Sequence, residues 1–188
     1  MKKIDVIIVI IFIGLLFSVP IYVGKIGIIT WGYWTGIISQ YTFLISLLPG
    51  IHLRFDMTYG KRLYIFIRKY RRTIGITAYT AGVLHFYWSF ILPNRGQFFP
   101  DLLSDWMGFV ALLLLTPLFL TSNDLSLNKL GKLWKKLHLV VHLVIYLLLM
   151  HVVIKGRLTT SLVTGFVMVA DVFSWVVLLM RDRREIKV

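Results

Sequence analysis

Six runs of 17 to 22 mostly apolar residues fill this 188-residue chain, and basic clusters separate them. The runs are roughly 4–23, 28–48, 73–92, 106–122, 137–154 and 159–180. A helix needs about 20 such residues to cross a hydrocarbon core about 30 Å thick. Only helices and closed barrels satisfy their backbone groups in lipid. Runs of this length predict an all-α, polytopic membrane bundle of six transmembrane helices, forming one domain over 1–188. The connections are short, so neighbouring helices should be antiparallel. Of all residues 58% are hydrophobic and only 15% charged, against about one quarter charged in soluble domains.

The formal net charge is +13. On a soluble chain that would suggest nucleic acid. Here the cations flank apolar runs, so they read as orientation signals and no nucleic-acid partner is expected. If both termini lie inside, 17 of the 21 Lys and Arg fall in inner segments. Only Lys25, Arg95, Lys155 and Arg157 fall outside. The positive-inside rule then places both termini in the cytoplasm, the expected location being a bacterial inner membrane. Met1-Lys2-Lys3 before an apolar run resembles the start of a secretory signal. No small-x-small cleavage site follows, so the run reads as a first span. Trp31, Tyr33 and Trp34, with Tyr87 and Trp88, sit near the outer ends of spans two and three, as interface aromatics do.

Ionisable residues inside spans are rare and usually functional. His85 lies twelve residues into span three, and His151 fourteen residues into span five. Both are roughly 18–21 Å from the inner end by helix rise. Two imidazoles at one depth, on helices that can face each other, suit the two axial positions of a haem. The chain has no cysteine. That rules out disulfides, a Cys-ligated iron–sulfur cluster and covalent c-type attachment.

His138 lies thirteen residues before His151, roughly 20 Å nearer the inner side. The depth-matched positions on span three are Arg71 and Arg72. Neither ligates iron, but an arginine there could hold a propionate or a flavin phosphate. On an ideal helix His138 and His151 point about 140° apart, so two stacked sites require a bend or sites on different sides. His142 lies one turn after His138 and could replace or assist it. His52 has no depth-matched partner and reads as a loop residue. Asp171 inside span six calls for a partner, either in a structural ion pair or in proton handling. The lysines between Lys129 and Lys136 could dock an acidic donor or simply orient the chain.

Arg71-Arg72-Thr-Ile-Gly-Ile-Thr-Ala-Tyr, then Leu84-His85-Phe86, resembles the third helix of the YedZ/MsrQ family. The likeness continues in Thr116-Pro117 through Asp124 and in Leu130-Gly131-Lys-Leu-Trp134-Lys-Lys-Leu137-His138, with His151 at the family's spacing. It covers roughly Arg71 to His151; the remaining spans match by hydropathy alone. The family provides the haem-binding membrane subunit of a periplasmic methionine sulfoxide reductase system and belongs to the ferric reductase-like superfamily. The resemblance implies haem b on His85 and His151, the haem-iron ligands. It also implies a second cofactor, FMN or another haem, near His138, His142, Arg71 and Arg72. His142 departs from the pattern, where an aromatic residue is expected. The implied partners are a periplasmic molybdopterin sulfoxide reductase and, because no G-x-G-x-x-G occurs, a separate cytoplasmic flavin reductase or quinol as donor. Other readings are a stand-alone ferric or quinone-linked reductase, and a transporter or scaffold whose histidines bind a non-haem metal.

Overall fold

The computed structural model describes residues 3–92 and 103–185, and every regular element in them is helical. Pro93 and Arg95 lie outside the described residues. Helix α1 spans Lys3–Phe55 and α2 Lys61–Phe86, extended by a π-helical turn at Tyr87–Ile91. Then come α3 (Leu103–Leu120), the short α4 (Asp124–Leu130) and α5 (Lys132–His138), α6 (Val141–Ile154) and α7 (Leu158–Glu185).

Four segments are long and apolar enough to cross a membrane: Thr30–Phe55, Leu103–Leu120, Lys132–Ile154 and Leu158–Arg181. The six expected crossings are not reproduced. The first two expected spans lie on one continuous helix, because α1 runs straight through Gly24–Gly27, where a turn was expected. The physical reason is local. Two glycines cost a helix only about 1 kcal/mol each, and no Pro, Asn or Asp forces a turn there. The third expected span lies on α2, which starts twelve residues earlier than expected, at Lys61. Its first three turns are strongly basic, which lowers the mean hydropathy of the helix.

The fifth expected span lies inside the segment Lys132–Ile154, although two helices share it. Residues Leu139 and Val140 form a turn between α5 and α6, directly after His138. Another break falls at Gly131, between α4 and α5, whose φ of 49° lies in the left-handed region where a side chain would be strained. Asn123 caps α4, its side chain accepting the Ser126 N–H at 2.8 Å.

The long helices close into a ring. Helix α1 packs on α2 and α7, α6 packs on α7 and α3, and α2 packs on α3. Helices α2 and α6 thus face each other across the interior. Phe43, Leu44 and Leu47 of α1 meet Val144 and Ile145 of α6 and Val167 of α7 in the core. Small residues bring the backbones close: Ala78 and Ala81 on α2 and Ala111 on α3 are all at most 2% exposed. This is how membrane helices pack, since lipid supplies no hydrophobic drive between them. Side-chain hydrogen bonds stitch the ring. Ser39 donates to the Ala78 carbonyl at 2.8 Å, and Gln40 donates to Thr164 at 2.6 Å. Leu162, Phe166 and Val169 on α7 point outward, as lipid-facing residues do.

Candidate haem site and inner cavity

His85 on α2 and His151 on α6 meet across the interior, with ring centres 6.3 Å apart and planes at 80°. Each ring is tethered to a third helix. His85 Nδ1 donates to the Gly32 carbonyl of α1 at 2.7 Å. His151 Nδ1 donates to the Ser104 carbonyl of α3 at 2.6 Å. A carbonyl only accepts, so both Nδ1 atoms carry hydrogen. A neutral imidazole then keeps its lone pair on Nε2, the nitrogen that binds a metal. A backbone carbonyl holding Nδ1–H is the usual support of a ligating histidine.

The spacing also fits. Two imidazoles sharing one metal ion would have ring centres about 6 Å apart, from bonds of roughly 2.0–2.1 Å and about 1 Å from nitrogen to ring centre on each side. Glycines make room for both rings. A Cβ on Gly36 would lie 2.7 Å from His85 Nδ1, and one on Gly108 would lie 3.0 Å from His151 Nδ1. These contacts predict that Gly36→Ala pushes the His85 ring off its Gly32 tether. The expected result is a drop of about tenfold or more in haem retained after purification, as for other losses of ligand support. Haem content per protein, measured as the pyridine haemochrome, checks it.

The π-helical turn begins two residues after His85. Such turns insert one extra residue and often mark functional positions. Beside it, a Cβ on Gly32 would lie 2.5 Å from Ser89 Oγ, so α1 and α2 cross in near-contact here.

Arg71, Arg72 and His138 line one cavity of about 240 Å³, together with Gly75, Tyr79 and Trp134. The His138 ring stacks on Trp134 at 3.7 Å, and its Nδ1 donates to the Trp134 carbonyl at 3.0 Å. Its Nε2 is again the lone-pair nitrogen. Arg72 also pairs with Asp124. No second histidine lines this cavity. A cation, an aromatic face and one imidazole suit a ligand with a flat ring and an acidic group.

His142 does not line that cavity. Its Nδ1 donates to Asp171 Oδ2 at 2.6 Å, and Arg54 pairs with the other carboxylate oxygen. Arg54 also donates to Ser174 Oγ at 2.7 Å and lies 4.6 Å over the Trp175 ring. Asp171 therefore has the Arg and His partners that its depth called for. His52 Nε2 donates to the Tyr59 carbonyl at 3.0 Å, and its ring stacks on Tyr64, tying down the α1–α2 connection. Among the described residues no three His, Cys, Asp or Glu side chains gather to hold a metal ion.

Sequence reasoning missed the residues that hold the two imidazoles: Gly32, Gly36, Ser104 and Gly108. A signal was present. Gly32 and Gly36, like Ser104 and Gly108, are small residues four apart, the spacing that lets membrane helices approach. Arg54 was counted as an orientation charge, though it sits within hydrogen-bonding reach of a buried carboxylate.

The sequence has counterparts among known proteins. This chain is similar to MsrQ subunits. "Protein-methionine-sulfoxide reductase heme-binding subunit MsrQ" from Brucella ovis, Brucella canis and Brucella melitensis biotype 2 are each 33% identical to it over 88 residues. The match covers 43% of this chain and 40% of each relative, so it spans less than half of either protein. No family model matches, and no solved structure matches.

Proposed function

We propose that this chain is the b-type haem subunit of a membrane electron-transfer system. The observation that carries the reading is the tethered pair His85 and His151. The ring centres lie 6.3 Å apart, and both Nδ1–H groups are held by backbone carbonyls, which leaves each Nε2 with its lone pair. A haem bound there supplies a one-electron couple. The chain's own residues set the ligand geometry, exclude water and keep the surroundings apolar.

The cavity at Arg71, Arg72 and His138 is the entry point in this reading, holding FMN or a second haem. Electrons come from a cytoplasmic flavin reductase or from quinol. By likeness to the Brucella subunits they leave toward a methionine sulfoxide reductase, in this reading a periplasmic molybdopterin enzyme. The positive-inside rule puts the cavity on the cytoplasmic side of an inner membrane. The segments 54–72, 129–136 and 181–184 carry 14 Lys and Arg, while Lys155 and Arg157 fall at the opposite end.

Six crossings with both termini inside require α1 to break in a bilayer. A 53-residue helix is about 80 Å long, against a core about 30 Å thick. Its first twenty residues are too apolar to stand in water, and Gly24–Gly27 is where the chain would turn back. The test of function is optical. Purified full-length protein should show a sharp Soret and α-band in a dithionite-reduced minus oxidised spectrum. Its acid extract should be assayed for FMN by fluorescence. A preparation that stays colourless after haem supplementation would falsify the haem reading.

A further inference from the structure

Among the described residues, two buried side-chain polar atoms have no hydrogen-bond partner: the indole Nε1 of Trp88 and the hydroxyl of Ser104. Both residues are 0% exposed. Buried donors are nearly always satisfied, so each calls for an explanation.

Each orphan lies within about one helical turn of a residue that carries or holds one of the two histidines. Trp88 follows His85 by three residues, in the π-helical turn. Ser104 supplies the carbonyl that holds His151, and Gly108, one turn later on α3, lies against that same ring. They also share an end of the bundle. Helix α2 runs from His85 toward Trp88, and α3 returns from Ser104 toward Gly108. Lys155, one turn past His151, reaches Asp105 at 2.7 Å at this same end.

We propose that the Trp88 indole N–H and the Ser104 hydroxyl donate to the carboxylates of a haem held by His85 and His151. The proposal rests on the haem reading above and adds the orientation of the ring. The carboxylates are the charged substituents of haem. In an apolar interior they must find donors or reach the interface. Two buried donors without partners, at the end where charged side chains already gather, meet that need. Charge-assisted bonds of this kind are the strong ones.

The experiment compares haem with its dimethyl ester, in which both carboxylates are capped. Full-length protein, stripped of haem, is titrated with each and followed at the Soret band. The ester should bind about tenfold weaker than haem, or worse, consistent with losing bonds to charged groups. Trp88→Phe and Ser104→Ala should each weaken haem by about tenfold and leave ester affinity near that of the unaltered protein. If either variant weakens haem and ester equally, that residue's role is packing and its assignment is overturned. Equal affinity of the unaltered protein for haem and ester overturns the proposal as a whole. Failure of the unaltered protein to bind either porphyrin sinks the haem reading itself, a different result from the other two.

Discussion

Replacing His85 or His151 by alanine is expected to abolish the low-spin spectrum of bound haem. Each ring is held on a separate helix and tethered to a third, so no neighbouring imidazole can take its place. His138 stacks on Trp134 at the cavity it shares with Arg71, His142 is held by Asp171, and His52 is tied to Tyr59. Loss of a supporting hydrogen bond alone typically costs a metal site 10–100-fold in affinity, about 1.4–2.8 kcal/mol, so loss of the ligand itself should cost more. Haem content and the visible spectrum of each single variant check this. His52→Ala serves as the comparison, expected to keep the full spectrum. An unchanged low-spin spectrum in both His85→Ala and His151→Ala would remove the ligand assignment.

The second large effect is expected at Asp171, on stability rather than on colour. Asp171 is 3% exposed and holds two partners, Arg54 and His142. Arg54 stays charged at any ordinary pH. Asp171→Ala leaves that cation in the bundle without its counter-charge. Breaking a buried pair from one side costs about 3–5 kcal/mol. Polar contacts between membrane helices average only about 0.6 kcal/mol. The larger figure applies here, because the loss is an uncompensated full charge rather than one neutral hydrogen bond. Unfolding of the purified protein in mixed micelles, followed by circular dichroism, measures it. Replacing both partners, as in Arg54→Met with Asp171→Leu, should restore most of the loss, since no charge is then stranded. A single Asp171→Ala variant within about 0.5 kcal/mol of the unaltered protein, well inside the range of neutral surface changes, would mean that Arg54 has found another partner.

How much was legible from the residues varies by element. The apolar runs at 106–122 and 159–180 lie on α3 and α7, displaced by at most a few residues, because length and hydropathy alone define such helices. The run at 73–92 is also helical, but α2 begins far earlier. Lys61 to Arg72 is helical by propensity and exposed by charge, and a hydropathy reading stops where charge begins. The turn expected at Gly24–Gly27 is absent from α1, since two glycines weaken a helix without ending it.

The depth argument paired His85 with His151 by counting residues along two helices. It could not pair Asp171 with Arg54, which lie 117 residues apart in sequence. It also joined His142 to His138 as a single face. The turn at Leu139–Val140 separates them, and His142 points to Asp171 instead.

The order of residues along the chain determined the helices, their charge asymmetry and the heights of the histidines. Each of these follows from the 1.5 Å rise of a helix and the cost of placing charge in lipid. The closing of the ring decided what the heights could not. It set which imidazole nitrogen is tethered and which glycine leaves room for the ring. It also left the Trp88 and Ser104 donors without partners and placed an arginine against the buried aspartate. Those features depend on which face of each helix meets its neighbour. Ridge-and-groove packing and close contacts through small residues govern that choice, and neither can be read along one strand of sequence.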